Sequence, residues 1–310
     1  MTGNIDTGNL LFQSEHHPLV PLEFDSREGY CLSLIHRKAY LRAAEMADGS
    51  DVLDLGCNNG YGTRTIAQRC NRIVGIDVSR QAIEAAISTH AKPNIEYRLV
   101  DGGLLPFEDR SFDLVTSFQV IEHVDHVEPY LHEIRRVLRD AGKVVFTTPN
   151  RCIRLDPGQR PWNPFHVREY DPATLDQALR EVFPHVLIEG LFASPDLYKI
   201  ERERAARAKA ATRPSRAARL IRTLIGISAG NVVIERTKAI APAGLVRRLR
   251  STGNRSPVNS KDDVDSEILA AFVNRWSLSD LYYRDENLDQ ALDLIAISSM
   301  SDSNLDRRAQ

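Results

Sequence analysis

The chain has 310 residues, of which 42% are apolar and 26% are charged. That composition suffices for one large or two modest packed domains, which excludes a wholly disordered protein. No apolar run approaches the roughly 18 residues of a membrane-spanning helix, and the N-terminus lacks the basic and apolar segments of a secretion signal. The four cysteines form no Cys-x-x-Cys pair, so neither disulfides nor a thiolate zinc site is expected. The sequence predicts a cytoplasmic protein.

The net charge of −2 is unevenly distributed along the chain. Residues 199–255 contain 15 basic and 3 acidic residues, a charge of +12, and because the total is −2 the rest of the chain carries −14. Such an asymmetry is typical of a protein with two regions that meet different partners.

The first half of the chain alternates short β-branched runs with helical patterns, which is typical of a parallel sheet with crossover helices. Strands are predicted at 51–55, 72–77, 94–100, 112–118, 143–148, 185–191 and 291–297. Helices are predicted near 27–48, 80–90 with Ser79 as N-cap, 127–140, and 172–181 with Asp171 as N-cap. The predicted fold class is α/β, a Rossmann-like, doubly wound, mostly parallel sheet of about seven strands.

The position of the last predicted strand divides the chain into regions. A core of residues 1–198, with an N-terminal helix, is completed by the last strand in 288–298, and a disordered tail is predicted at 299–310. A basic, mainly helical insertion, 199–287, separates the core from its last strand. Within this insertion, apolar residues recur at helical spacing with arginines off the stripe, which indicates a basic amphipathic helix. The stripe consists of Ala217, Leu220, Ile221, Leu224 and Ile225.

A glycine-rich turn follows the first strand. Residues 51–55 run directly into Gly56, Gly60 and Gly62, and a helix begins there. Glycines let the backbone approach a ligand closely, and the start of a helix offers N–H groups that have no partner within the helix. Asp77 ends the second strand, 17 residues after Gly60. A doubly wound fold places there the carboxylate that accepts ribose hydroxyls, so the pattern predicts a nucleoside-binding site.

These motifs, in this order, resemble the class I S-adenosylmethionine-dependent methyltransferases, in the branch similar to the ubiquinone-biosynthesis O-methyltransferases. The resemblance is carried by residues 52–62, 75–79, Asp101, 112–115 and 120–124. It implies S-adenosylmethionine as the cofactor and S-adenosylhomocysteine as the product. It also implies an α/β methyltransferase core in which the strand ends hold the cofactor.

The resemblance further implies a role for each motif residue. Asp54 and Gly56 would lie against the methionine part, Asp77 on the ribose, and Asp101 with Gly102 at the adenine. The family usually has glycine where this chain has Asn58, but asparagine tolerates a left-handed backbone better than other residues with a side chain. The predicted cofactor contacts are Asp54, Gly56, Cys57, Gly60, Tyr61, Asp77, Val78, Asp101, Gly102 and Gln119.

Methyl transfer to a hydroxyl requires the loss of a proton, so a base is expected at the strand ends where ligands bind in open α/β folds. His123, His126 and His166 each follow a strand. Glu122 and His123 belong to a family motif, and residues 163–170 look like a segment that glycan-modifying relatives carry over the acceptor pocket. His166 is the first choice for the base, and His123 and Glu122 are further catalytic candidates. A capping or packing role is the alternative for these histidines.

A metal is not predicted. Some relatives bind a divalent cation through an acid three residues before the Glu-His pair, and this chain has Gln119 at that position. An amide is a weaker ligand than a carboxylate for a hard cation. The proline-rich approach to the acceptor segment, 149–164, is typical of a structured loop that serves as a lid.

The predicted function is O-methylation of a sugar, glycan or glycolipid hydroxyl. Methylation of a phenolic or quinone-like small molecule is the alternative within the class. From other classes, a Rossmann-like protein that binds a nucleoside cofactor without catalysis remains open. A dinucleotide oxidoreductase is disfavoured by the spacing of Gly56 and Gly60, which differs from the dinucleotide fingerprint.

The basic stretch suggests partners of its own. It predicts contact of residues 199–255 with an anionic membrane surface or a lipid-linked acceptor, peripherally at the inner face of the membrane. A plain packing or lid role is the alternative. Nucleic acid is disfavoured, because no aromatic residue for base stacking lies between Tyr198 and Phe272. The oligomeric state stays open.

Overall fold

The computed structural model describes residue 24 and residues 26–211 and 266–301. The strands are β1 (Asp51–Leu55), β2 (Arg72–Asp77), β3 (Ile95–Leu99), β4 (Phe112–Phe118), β5 (Leu138–Pro149), β6 (His185–Ala193), β7 (Leu281–Arg284) and β8 (Asp293–Ser299). The helices are α1 (Arg27–Met46), α2 (Tyr61–Ile66), α3 (Arg80–His90), α4 (Val127–Val137), α5 (Arg151–Arg154), α6 (Pro172–Arg180), α7 (Pro195–Ala211) and α8 (Ser266–Arg275).

The eight strands form one sheet in the order β3-β2-β1-β4-β5-β8-β6-β7. Strands β1 to β5 pair in parallel, whereas β8 enters antiparallel between β5 and β6. The order reverses between β1 and β4, so the carboxyl ends of β1, β2 and β4 border the crevice where open α/β sheets bind ligands. The predicted doubly wound α/β fold is confirmed.

The core lies on both faces of the central strands. In β1, Val52 faces one apolar cluster while Leu53 and Leu55 face another, and all three side chains are buried. A strand that is covered on both faces reads as a continuous apolar run, which is why the central strands were predictable from the sequence. The predicted N-caps are also present: Ser79 accepts the N–H of Ala82, and Asp171 forms a capping box with Thr174.

Two elements differ from the sequence prediction. The helix predicted at 127–140 ends at Val137, because Leu138 already pairs with Phe112 and β5 therefore begins five residues before 143. The edge strand β7 was not predicted. It has four residues and pairs only with β6 among the described strands, so its pairing depends on residues about 90 positions away. A run this short carries little sequence signal.

The predicted insertion is described in part. Helix α8 and strand β7 lie in it, and α7 crosses its predicted start at residue 199, because this helix already begins at Pro195. The predicted amphipathic helix at 217–225 and the tail beyond residue 301 lie outside the described residues. None of the described helices is long and apolar enough to cross a membrane.

Candidate active site

The glycine turn between β1 and α2 has the shape that the sequence predicted. Gly56 and Gly60 have φ of +79° and +80°, in the left-handed region. A Cβ on Gly60 would lie 2.5 Å from the hydroxyl oxygen of Tyr97, so a side chain there is excluded by contact as well as by conformation. Asn58 also adopts a left-handed backbone, with φ of +47°, and its Oδ1 accepts the N–H of Asn59 at 2.8 Å.

The carboxylate of Asp77, at the end of β2, binds the glycine turn through a hydrogen bond. One carboxylate oxygen accepts the N–H of Asn58 at 2.9 Å, and the other accepts the N–H of Ser79 at 2.8 Å. The half-buried side chain therefore joins the turn to the N-terminus of α3. Val78 follows in the sequence and is also half-buried.

Asp54 lies beneath the turn and is completely buried. Its carboxylate accepts hydrogen bonds from the hydroxyls of Thr63 at 2.6 Å and Thr116 at 2.8 Å. Burial raises the pKa of Asp54 to about 6 although these hydrogen bonds act in the opposite direction. The side chain thus ties β1 to α2 and β4, and its contact with the methionine part of a cofactor stays a prediction.

The remaining cofactor candidates line the same edge of the sheet. Cys57 is buried and would contact a Cβ on Gly75, so its side chain faces β2, while Tyr61 packs edge-on against Tyr40 at 5.3 Å between ring centroids. Asp101 is exposed just after β3, and its Oδ1 accepts the N–H of Gly103 at 2.9 Å.

Gly102, beside Asp101, is buried with φ of +85°. The N–H of Val100 donates to the carbonyl of Asp77 at 3.0 Å, so the ends of β2 and β3 are adjacent. The structure therefore brings the glycine turn, Asp77 and Asp101 to one sheet edge, as the sequence predicted.

Gln119 follows β4 and occupies a different environment. Its amide nitrogen donates to both carboxylate oxygens of Asp293, at 3.2 and 3.0 Å, and to Thr147 at 3.3 Å. Burial raises the pKa of Asp293 well above its usual range. Asp293 was not predicted as a site residue because it lies 174 positions from Gln119. The available signal was an acid directly before the apolar run 294–297 of strand β8.

The three predicted catalytic side chains come together at the end of β4. Glu122, His123 and His166 each offer a ligand atom within 4.8 Å of the others. The two imidazole rings are perpendicular, with centroids 4.7 Å apart. His126 lies outside this group, at the N-cap of α4. We call the three residues the Glu-His-His cluster.

Hydrogen bonds orient the members of the Glu-His-His cluster. Nδ1 of His123 lies 2.8 Å from the carbonyl oxygen of Phe165, which only accepts, so Nδ1 carries the proton. Glu122 is fully buried, its Oε2 accepts the hydroxyl of Thr148 at 3.0 Å, and its Oε1 has no hydrogen-bond partner among the described residues. Burial raises the pKa of Glu122 to about 8.

His166 is held by two residues that the sequence did not single out. Its Nδ1 lies 3.0 Å from Oε1 of Glu169, and Glu169 accepts two hydrogen bonds from the guanidinium of Arg154, both at 3.0 Å. Arg154 lies over the ring of Trp162, 4.1 Å from its centroid. Charged residues are rarely buried without a partner. The available signal in the sequence was therefore a basic residue in the predicted lid and an acidic residue in the acceptor segment, which could pair with each other.

The acceptor segment 163–170, which follows the predicted lid, is anchored over the end of β4. The backbone N–H of Val167 donates to the carbonyl of Glu122 at 2.9 Å, and the guanidinium of Arg168 donates to the carbonyl of Asp125 at 2.6 Å. Asn150 and Tyr170, at the two ends of the loop, form an isolated parallel bridge. The loop therefore forms a wall beside the cluster.

The Glu-His-His cluster supplies two imidazole nitrogens and a carboxylate, a donor set that suits divalent transition metals. The prediction that no metal binds was based on Gln119, which is not part of this cluster. Nothing in the structure tests that prediction.

A doubly wound sheet, a glycine turn and acids after the next two strands together define an α/β nucleoside-binding domain with basic groups beside the ligand crevice. Comparisons identify its relatives. Residues 53–146 match a family described as a methyltransferase domain. A probable S-adenosylmethionine-dependent methyltransferase of Mycolicibacterium smegmatis is 38% identical over 145 residues, which are 46% of this chain and 55% of that protein.

A ubiquinone biosynthesis O-methyltransferase of Rhizobium rhizogenes is 34% identical over 116 residues, which are 36% of this chain and 46% of that protein. A crystal structure of an S-adenosylmethionine-dependent methyltransferase from Mesorhizobium loti is similar over 54% of this chain and 89% of its own, with 21% identity and a TM-score of 0.43. The chain spans about half the length of the curated relatives it matches.

Residues 53–146 therefore form a methyltransferase domain, and the part of the chain that contains it is similar to S-adenosylmethionine-dependent methyltransferases. S-adenosylmethionine is the cofactor of this domain. The relatives include the ubiquinone O-methyltransferase branch that the sequence motifs indicated.

Proposed function

We propose that this protein is an O-methyltransferase that acts on a hydroxyl group of a sugar, glycan or glycolipid. The observation that supports the proposal is the Glu-His-His cluster at the end of β4, the strand that pairs with β1, because its imidazole nitrogens could accept a proton from a hydroxyl. Sugar hydroxyls are weak acids that need a base to react, whereas phenols lose their proton far more easily. General-base help is worth roughly 10² to 10⁴ in rate.

The cofactor side is formed by the glycine turn together with Asp77 and Asp101. The residues present fit a nucleoside: Asp77 offers a carboxylate at the end of β2, and the carboxylate residue Asp101 is exposed just after β3. Bound there, S-adenosylmethionine supplies a methyl group on a positively charged sulfur. Asp77 would accept the ribose hydroxyls and Asp101 would meet the adenine amino group. Fixing donor and acceptor in line contributes on the order of 7–11 kcal/mol to lowering the barrier.

On the acceptor side, His166 would take the hydroxyl proton. Its Nδ1 faces Glu169, so Nε2 is the nitrogen that receives the proton as the acceptor oxygen forms its bond to the methyl carbon. The electron pair of the breaking sulfur–carbon bond stays on sulfur and leaves S-adenosylhomocysteine. Glu122, with its pKa of about 8, is protonated near neutral pH and would donate a hydrogen bond from its unpartnered oxygen.

The second candidate acceptor is a phenolic or quinone-like small molecule. The relative named ubiquinone biosynthesis O-methyltransferase favours it. The two acceptors make different demands on His166, since a phenol, with a pKa of about 10, is a much stronger acid than a sugar hydroxyl. Loss of His166 would therefore slow methylation of a sugar by roughly 10² to 10⁴ and slow methylation of a phenol less.

The basic stretch 199–255 is proposed to meet an anionic membrane or a lipid-linked acceptor. Its described part, α7, supports a packing role more than a membrane role, because four of its five basic residues form ion pairs with acids of this chain. Membrane contact would depend on the residues that follow α7. Flotation with anionic liposomes at low and high salt tests it: binding that salt does not weaken, or no binding, contradicts the proposal.

Two experiments test the proposed activity on the purified full chain. Calorimetric titration is expected to show binding of S-adenosylhomocysteine and none of NAD; binding of NAD alone would overturn the cofactor assignment. A transfer assay with radiolabelled S-adenosylmethionine then compares simple sugars, oligosaccharides and lipid-linked glycans with catechols. Labelled sugar supports the proposal, labelled catechol alone supports the second candidate, and binding without transfer to any acceptor indicates a non-catalytic protein.

A further inference from the structure

We propose that Glu169, held by Arg154, is the positioning residue that sets the proton arrangement of His166. This inference rests on the proposed function, in which His166 accepts the proton of the acceptor. Neither Glu169 nor Arg154 contacts the acceptor in this proposal. Both act through the imidazole.

The geometry leaves Glu169 little freedom. Its Oε1 accepts hydrogen bonds from Nδ1 of His166 and from Nη2 of Arg154, and its Oε2 accepts one from Nε of Arg154, all at 3.0 Å. The carboxylate side chain has no exposed surface, and the side chains of His166 and Arg154 are only 6% and 7% exposed. Paired N–H donors on one carboxylate fix its plane as well as its position.

Electrostatics keeps Glu169 ionised. Burial raises the pKa of this carboxyl, but the hydrogen bond from His166 and the charge and hydrogen bonds of Arg154 outweigh burial and lower the pKa below its usual range. An ionised carboxylate accepts hydrogen bonds and donates none. The facing Nδ1 of His166 must therefore carry a hydrogen, which leaves the lone pair of the neutral ring on Nε2.

The same pair favours the charged product of proton transfer. When His166 takes a proton it becomes a cation 3.0 Å from a buried carboxylate, which stabilises the imidazolium. Arg154 is needed because a lone carboxylate would be costly to bury. Its guanidinium stacks on Trp162, whose ring also meets Arg204 of α7 at 5.4 Å, so the pair is fixed to both the lid and α7.

The experiment uses ¹⁵N-histidine-labelled full chain and NMR, and it needs no acceptor. The signal of His166 is assigned by its loss in His166→Gln. In the wild type, the neutral ring is expected to carry its proton on Nδ1. In Glu169→Gln, the amide can donate to Nδ1, so the proton moves to Nε2 in part or fully, and the titration midpoint falls by about one pH unit or more.

Glu169→Asp and Asp156→Asn serve as matched variants. Glu169→Asp keeps the carboxylate and is expected to retain the wild-type tautomer. If Glu169→Gln fails to fold, the wild-type spectrum decides, because a neutral His166 with its proton on Nε2 overturns the proposal. Asp156→Asn removes a lid acid whose ion-pair partner is Lys209, and it is expected to change neither the tautomer nor the midpoint of His166. A Glu169→Gln ring with the wild-type tautomer and midpoint overturns the proposal.

Turnover separates this proposal from the proposed function. With an acceptor identified in the transfer assay, Glu169→Gln is expected to lower kcat roughly 10²- to 10⁴-fold with unchanged affinity for S-adenosylhomocysteine. The acid limb of its pH–rate profile should also lie at lower pH than that of the wild type. If His166→Gln is inactive while Glu169→Gln has normal turnover, the positioning role is wrong and the base assignment stands. If His166→Gln is fully active, the base assignment fails, whatever the NMR shows.

Discussion

The two sides of the site are built from different materials. The cofactor side, which comprises the turn at 56–62 with Asp77 and Asp101, is shaped by glycine backbone and by carboxylates that bind nearby N–H groups. The acceptor side, which comprises residues 119–124, the lid and Asp293, is held by buried charged side chains from distant segments. Buried acids with a raised pKa occur on both sides, Asp54 beneath the turn and Glu122 in the Glu-His-His cluster, but on the acceptor side the acid also lies next to two imidazoles.

The largest effect is expected on the acceptor side. Replacing His166 by Gln removes the proton acceptor but keeps a polar side chain, so kcat should fall roughly 10²- to 10⁴-fold, while affinity for S-adenosylhomocysteine stays unchanged. His132→Gln is the matched control, since His132 is exposed on α4 and should keep full activity. If His166→Gln lost activity and affinity for S-adenosylhomocysteine to the same extent, His166 would contribute to the cofactor side as well as to the acceptor side.

The next effect is expected on the cofactor side. A methyl group at Gly60 would press on the Tyr97 hydroxyl and strain a φ of +80°, so Gly60→Ala should weaken S-adenosylhomocysteine binding about 100-fold, or about 2.7 kcal/mol. Gly49→Ala isolates the strain, because φ there is +66° with no atom within 4 Å of the added Cβ. That control should lose about 1 kcal/mol of stability and keep its affinity. Equal affinities of the two variants for S-adenosylhomocysteine would show that the turn at Gly60 does not shape the cofactor site.

Stability against pH gives a smaller effect, on the acceptor side. The folded protein keeps a proton on Glu122 up to a pKa of about 8, whereas the unfolded chain releases it near 4.5. The folded state therefore loses stability as the pH rises from about 4.5 to 8. Glu122→Gln should flatten this fall and raise Tm at pH 8 by a few degrees relative to the wild type. Glu128→Gln, on the exposed side of α4, should leave the slope unchanged, and a matching slope in both variants would refute the assignment.

The smallest effect concerns Asn58. Asn58→Gly relieves a left-handed backbone but removes the acceptor for the N–H of Asn59, so the two changes offset each other to within about 1 kcal/mol of unfolding free energy. Cofactor affinity should stay within twofold of the wild type, as measured by calorimetry. A tenfold change would show that the asparagine side chain takes part in binding.

Much of the cofactor side was predictable because its contacts are local or follow the order of the strands. The left-handed turn at Asn58, the acid at the end of β2 and the caps at Ser79 and Asp171 all follow from short motifs whose geometry the backbone dictates. Strand β7 and the early start of β5 were missed, because both depend on pairing with distant strands rather than on local pattern.

The sequence by itself determined the fold class, the family of the domain and the list of candidate acids and histidines. Periodicity, glycine spacing and motif order are properties of contiguous residues, so they can be read from the chain. Only the tertiary structure decided that His166 meets Glu169 and Arg154, and that Gln119 meets Asp293. Those partnerships depend on which side chains share a low-dielectric space, and this is set by packing between segments far apart in the chain.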